Sequence, residues 1–217
     1  SDCLVAIHVD DLLIMARDDA ALDNLSRTFN DQFGKMEFNR KSGLSYVGLN
    51  ITVNNDKSVS VDQHGYVKYL LESYETWRGK KMRAYKYPSS PSIASLQPLG
   101  GCDPDTEQQF IHYVYSVAFV SQRSRPDLAT TVSLLCSVAK NPTPEAVKHL
   151  DQLFGYIKST MSHKLTLGAN DPSITVYADA SFNLHHDSKS HTGVIVKVGG
   201  STVLASSTKQ KIVASSS

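Results

Sequence analysis

The chain has 217 residues, 41% of them hydrophobic and 20% charged, and a formal net charge of +1. This composition excludes a disordered polyelectrolyte and a fibrous repeat, and any nucleic-acid-binding surface must be local because the total charge does not carry it. The length allows one large domain or two small ones. Cys3, Cys102 and Cys136 are odd in number and fit no zinc spacing, so they read as reduced thiols. The most apolar stretch, Leu4 to Ala16, is broken by two aspartates and is too short to span a bilayer, and no signal peptide is visible. A start at Ser1 without methionine and an end on Ser215-Ser216-Ser217 read as a fragment or processing product.

In chain order, Leu4 to Val9 and Leu12 to Met15 are apolar runs of strand length with Asp10-Asp11 between them, which predicts a hairpin turning at the two aspartates. A helix follows, capped by Asp18 or Asp19, with Leu22, Leu25 and Phe29 on one face and Gly34 at its end. Ser45 to Val53 and Ser58 to Val61 read as two strands joined at Asn54-Asn55-Asp56. From Gln63 the period becomes helical, with Tyr66, Leu70 and Tyr74 together. A basic stretch, Trp77 to Tyr87, carries Arg78, Lys80, Lys81, Arg83 and Lys86. Residues 88–104 are rich in Pro and Gly and read as a linker or long surface loop. Three helices are expected next: about Thr106 to Gln122, one from near Ser124 with Pro126 in its first turn, and one capped by Thr143 with Val147, Leu150, Phe154 and Ile157 on one face. Asn170-Asp171-Pro172 is a break. Ser173 to Phe182, Gly193 to Val198 and Thr202 to Ser206 then read as strands, the last two joined by a tight turn at Gly199-Gly200.

The sharpest chemical feature is Asp10-Asp11. Two adjacent carboxylates between strands that favour burial repel each other and resist desolvation, so a fold keeps them either by neutralising them with a cation or by leaving the turn solvated. Both readings stand on the dipeptide alone. Asp179 shares a strand face with Thr175 and Tyr177, and either a solvated strand residue or a metal ligand fits that position. The basic stretch, interleaved with Trp77, Tyr85 and Tyr87, suits phosphate neutralisation with base stacking, or simply a solvated surface. Arg125 reads as a structural residue at a helix start, bound to Asp127 or a backbone carbonyl. His185-His186 with Asp187 reads as a polar hairpin loop before it reads as a metal site.

His8-Val9-Asp10-Asp11-Leu12-Leu13-Ile14 resembles the aromatic-x-Asp-Asp hairpin of reverse transcriptase palms, with His8 where tyrosine is usual. Further blocks follow in order. Phe33-Gly34-Lys35-Met36 with Ser45-Tyr46-Val47-Gly48-Leu49-Asn50-Ile51 is similar to the segment ending in the Leu-Gly primer-grip strand. Val61-Asp62-Gln63-His64-Gly65-Tyr66-Val67 with Leu70-Leu71 is similar to a Gln-x-x-Tyr thumb helix. Ser124-Arg125-Pro126-Asp127-Leu128-Ala129 resembles Thr-Arg-Pro-Asp-Ile-Ala, and Tyr156-Ile157-Lys158-Ser159-Thr160 resembles Tyr-Leu-Lys-Gly-Thr. Tyr177-Ala178-Asp179-Ala180-Ser181, Lys189 to Gly193, Ser206 to Gln210 and Val213 to Ser216 resemble the opening of a ribonuclease H, with Ala205 where tryptophan is usual. Together the blocks resemble the Pol polyprotein of copia-type LTR retrotransposons.

The resemblance implies an α/β (α+β) chain: a reverse transcriptase palm edge, a helical thumb and connection, and a partial ribonuclease H-like sheet. The corresponding segments are 1–62 for the palm, 63–87 for the first thumb helix and basic stretch, 88–104 for the linker, 105–168 for the thumb and connection helices, and 173–217 for the truncated ribonuclease H-like part. It implies Asp10, Asp11 and Asp179 as catalytic metal ligands for Mg2+ or Mn2+. It implies His8, Gly48, Gln63, Arg78, Lys80, Lys81 and Arg83 as nucleic-acid contacts. The chemistry implied is two-metal phosphodiester transfer, in which hard oxygen ligands hold two ions about 4 Å apart. The implied partners are an RNA template, a DNA primer, an RNA/DNA hybrid, dNTP in the complete enzyme and the rest of the polyprotein, with no membrane. The implied location is cytoplasmic, in the parent element's virus-like particle, or nuclear. A third palm aspartate is expected upstream of Ser1 and the ribonuclease H glutamate beyond Ser217, so the isolated chain is expected to be inactive. The other reading is a catalytically dead retroelement remnant that binds nucleic acid or protein.

Overall fold

The apolar runs at the N-terminus pair over their whole length: β1 (Cys3–His8) and β2 (Asp11–Ala16) are antiparallel, with Cys3 opposite Ala16 and His8 opposite Asp11. The turn therefore consists of Val9 and Asp10, not Asp10-Asp11. The one-residue shift keeps the favoured two-residue loop and pairs Cys3 to His8 with Asp11 to Ala16. The structure is a computed structural model and describes residues 2–168 and 173–213. The Asn170-Asp171-Pro172 break and the end of the Val213 to Ser216 block lie outside the described residues. Asp18 caps α1 (Asp19–Phe33) by accepting the Ala21 N–H at 2.8 Å, and Gly34, at φ 83°, ends it. The thiol of Cys3 reaches the Ala21 carbonyl at 3.7 Å, which seats α1 against one hairpin face.

The run expected as one strand from Ser45 to Val53 is two, β3 (Gly43–Tyr46) and β4 (Leu49–Val53). Val47 and Gly48 have φ of 49° and 75°, and two successive left-handed residues fold the chain back as a tight hairpin. β5 (Val59–Asp62) pairs with β4, and β6 (Leu165–Leu167), which the sequence patterns did not suggest, pairs with β5. Three residues are too few for a period of two to stand out, so β6 is recognised only by its partner. The sheet runs β3-β4-β5-β6 and joins segments a hundred residues apart.

The core lies in four helices: α2 (His64–Arg78), α3 (Pro104–Ser121), α4 (Ala129–Ser137) and α5 (Pro144–Ser159). Asp103 and Thr143 cap α3 and α5 through the N–H groups of Thr106 and Ala146, each followed by a proline at the first helical position. Leu70 and Tyr74 of α2, and Val147, Leu150, Phe154 and Ile157 of α5, are buried as their spacing predicts. Tyr74 stacks on Phe154 with centroids 3.8 Å apart, and Tyr113 meets both edge-on. The stretch expected as a linker is in part packed, because a 3-10 turn at Pro91–Ser95 buries Ile93 in this core.

The last sheet is β7 (Ile174–Ser181), β8 (His191–Val198) and β9 (Ser201–Lys209), in that order, with Gly199 and Gly200 both at positive φ between β8 and β9. The sheet rests on the helical core through β9 and α4. The Ser201 hydroxyl also bonds the N–H and the carbonyl of Gly168, both at 2.8 Å. The chain is of the α+β class. No helix among the described residues is long and apolar enough to cross a membrane.

Candidate carboxylate sites

The β1–β2 hairpin exposes its tip. Val9 has φ 55° and is 86% exposed, and a β-branched residue in that region is strained by about 1–2 kcal/mol. This strain sets Asp10 in the turn and Asp11 at the first position of β2, with His8 directly across. Both carboxylates are exposed, and neither has a hydrogen-bond or ion-pair partner among the described residues. The donor set of adjacent, solvated, hard oxygens fits Mg2+, which keeps several waters and takes one or two carboxylates.

Asp179 lies on the outer strand β7, exposed, with one carboxylate oxygen accepting the Ala180 N–H at 2.8 Å. It pairs with Gly193 on β8, which pairs with Ser207 on β9. These three residues line an open cleft of about 550 Å³ between the sheet and the start of α4, where Pro126 and Ala129 form the opposite wall. Among the described residues no three His, Cys, Asp or Glu side chains converge to hold a metal, so Asp10 and Asp11 sit as a pair and Asp179 by itself. The same holds for His185, His186 and Asp187. Asp187 is instead ion-paired with Lys189 and Lys209 at 3.3 and 2.9 Å, and His185 bonds His191.

The basic stretch divides once its partners are seen. Arg78 grips Asp151 with two bonds, at 2.8 and 3.0 Å, and Lys80 reaches the same carboxylate at 2.9 Å. Tyr74 donates to it as well, at 2.7 Å. Burial, together with this carboxylate beside it, holds the Tyr74 hydroxyl far above the usual phenol range. Lys81 pairs with Glu75 at 2.8 Å, while Arg83 stacks over Tyr85 and Lys86 over Tyr87. Asp151, on α5, carries no sequence signal linking it to Arg78, 73 residues away.

Gly48 occupies the β3–β4 turn. Gln63 is 3% exposed at the foot of α2, and its side-chain carbonyl accepts the Ser124 hydroxyl at 3.0 Å. That bond joins two of the sequence blocks. Arg125, also 3% exposed, binds Asp127 through two nitrogens at 2.9 and 2.8 Å and donates to the Thr160 carbonyl and hydroxyl. Tyr156 completes the clamp by donating to Asp127 at 3.0 Å. The structural reading of Arg125 is thus what the structure shows. Lys158 bonds Glu75 and the Met82 carbonyl, both at 3.0 Å, and Glu75 in turn accepts the Met82 N–H. Burial would raise the Glu75 carboxyl, but Lys81, the Met82 N–H and Lys158 bring it down to about 2.

The chain is 23% identical over 221 residues to the retrovirus-related Pol polyprotein from transposon TNT 1-94 of Nicotiana tabacum, a match covering 97% of this chain and 16% of that protein. It is 24% identical over 212 residues to a transposon Ty5-1 protein of Saccharomyces cerevisiae, covering 95% of this chain and 66% of the relative. A third relative, the secreted RxLR effector protein 161 of Plasmopara viticola, is 30% identical over 110 residues, covering 50% of this chain and 78% of the effector. No family model and no solved structure matches. Both transposon relatives are matched over nearly the whole of this chain, as a fragment of a copia-type retrotransposon Pol polyprotein would be. The chain spans about a sixth of the first relative's length and 66% of the second's.

Proposed function

We propose that the chain serves an RNA-directed DNA polymerase with an attached ribonuclease H, contributing Asp10 and Asp11 to the first active site and Asp179 to the second. The observation that carries this reading is the strained hairpin tip, which presents two adjacent carboxylates with no partner among the described residues. Backbone strain held at an exposed acidic turn is unfavourable for a purely structural hairpin and fits a site waiting for a cation. Bound Mg2+ would supply the charge that activates the attacking oxygen and stabilises the leaving one. The protein's part is to hold Asp10 and Asp11 together through the full β1–β2 register, and to place Asp179 beside an open cleft. His8, across from Asp11, faces the primer side in this reading. Primer, template and dNTP are the polymerase partners, an RNA/DNA hybrid is the ribonuclease substrate, and the cytoplasmic particle of the element is the setting.

The test is a longer polypeptide that includes the flanking polyprotein. Asp10→Asn or Asp11→Asn should abolish Mg2+-dependent primer extension, and Asp179→Asn should abolish cleavage of RNA in a hybrid while leaving extension intact. Extension that survives both hairpin substitutions would sink the polymerase assignment. The 217-residue chain by itself should show neither turnover, because its described carboxylates do not gather into a metal-holding set.

A second reading, a retroelement remnant that binds nucleic acid or protein without catalysis, is favoured by one finding. A relative named as a secreted effector, not as a polymerase, matches half of this chain. Primer extension by the longer polypeptide would exclude it for this protein.

A further inference from the structure

Behind the Asp179 cleft lies a hydrogen-bonded chain of three side chains. The Ser207 hydroxyl is 2.7 Å from Nε2 of His191, and Nδ1 of His191 is 3.0 Å from Nε2 of His185. Both imidazoles are more than nine-tenths buried, at 6% and 7% exposure, whereas Ser207 lines the cleft. The loop that carries His185 is tied down by bonds from its N–H to the Lys189 carbonyl and from Ser188 back to His185. Directly paired residues of an antiparallel sheet share a face, so Asp179, Gly193 and Ser207 form one cross-strand row. Without a side chain at Gly193, the space over the middle strand stays empty, with a carboxylate on one side and a fixed hydroxyl on the other.

We infer that Ser207 is a contact for a phosphate of the nucleic-acid strand bound at Asp179, and that His191 and His185 are its positioning residues. This rests on the ribonuclease reading of Asp179 given above. Two inter-strand spacings separate the backbones of Asp179 and Ser207 by about 10 Å. Ser207 therefore addresses a phosphate neighbouring the one whose bond is cut. The relay has two proton arrangements, because each neutral imidazole carries a single N–H. If His185 donates to His191, then His191 donates to Ser207 and the serine O–H is free to point outward. In the reverse arrangement the serine donates inward and offers only lone pairs. A phosphate oxygen accepts hydrogen bonds, so it selects the first arrangement. Lys209, opposite His191 on the same face, is held by Asp187 at 2.9 Å, which leaves the neutral hydroxyl to make the contact.

The 217-residue chain and its Ser207→Ala and Ser207→Thr variants are titrated with a labelled RNA/DNA hybrid at fixed salt, alongside thermal melting of each. Ser207→Ala should weaken binding about tenfold, the scale of one hydrogen bond to a charged group, while Ser207→Thr, which keeps the hydroxyl, restores it. Melting should be unchanged, and the 15N resonance of His191 Nε2 should move to its protonated position when hybrid is added. Unchanged affinity in Ser207→Ala, no detectable hybrid binding by the parent chain, or a lowered melting temperature with equal loss of affinity in both variants would each overturn the inference. Failure of the underlying reading shows elsewhere, as hybrid cleavage by the longer polypeptide that survives Asp179→Asn.

Discussion

Single residues show where geometry overrides local preference. Gly155 lies inside α5, where alanine would ordinarily favour the helix by about 1 kcal/mol. A Cβ there would collide with the Arg83 carbonyl and the Tyr85 ring, which cross the helix at this point. Overpacking against backbone costs about 1–3 kcal/mol and outweighs the propensity gain. Gly155→Ala should therefore lower the melting temperature by several degrees, and an equal or higher value would show that the crossing segment moves aside freely. Glu75 makes a second prediction. Its folded pKa is depressed from 4.5 to about 2, so its contribution to stability is complete above about pH 4.5 and is lost as pH falls toward 2. In Glu75→Gln that acid-side slope should be reduced in chemical denaturation series between pH 5 and pH 2.5, while the parent chain retains it.

At the scale of elements, the segment after α2 behaves as two parts. Arg78 belongs to the core, because its two bonds to Asp151 tie α2 to α5, and Arg78→Gln should destabilise the fold before it changes any binding. Lys81 and Arg83 are held more loosely. Lys81 is 80% exposed, and among the described residues the Arg83 guanidinium lies only over the Tyr85 ring. If these two contact phosphates, Lys81→Gln and Arg83→Gln should each flatten the log–log salt dependence of hybrid or duplex binding by about 0.9. Unchanged slopes in both variants, with folding intact, would assign this segment to structure alone. The blocks Ser124 to Ala129 and Tyr156 to Thr160 are likewise explained by contact. Arg125, Asp127, Tyr156 and Thr160 form one clamp between the start of α4 and the end of α5.

For the whole molecule, the organisation is a helical core with sheets on its periphery. The β7–β9 sheet has β7 as an open edge, where Ile174 is 71% exposed and Val176 58%, and it leans on α4 through β9. Three strands without a partner layer are marginal in water. A peptide of residues 173–213 alone should show no cooperative unfolding transition, whereas the same strands within the full chain should melt with the helical core. The relay histidines add a pH dependence to this part. Burial first, and then Lys209, bring His185 down to about 4, and burial lowers His191 as well. Folded chain thus binds fewer protons than unfolded chain, so stability is full above about pH 6.5 and declines as pH falls toward 4.

Much of the architecture was legible in the residues. The apolar periods, Asp18 and Thr143 as caps, Pro144 at a first helical position, and the Gly199-Gly200 turn all act through short-range chemistry that a sequence carries on its face, whereas Asp103 and Pro104, read as the end of a linker, begin α3. The acidic hairpin was legible for the same reason, and the row of blocks through its resemblance to a family. What only the tertiary structure decided are relations across distance. It moved the turn to Val9-Asp10, because pairing register belongs to two strands and not to one. It split Ser45 to Val53 at Val47-Gly48, added β6 to a sheet begun a hundred residues earlier, and packed Ile93 into the core. It gave Arg78 and Lys80 to Asp151, and it linked Ser207, His191 and His185 into one chain. Propensity and capping are properties of neighbours along the chain; partners for charges and strands are fixed only when the core brings distant segments together.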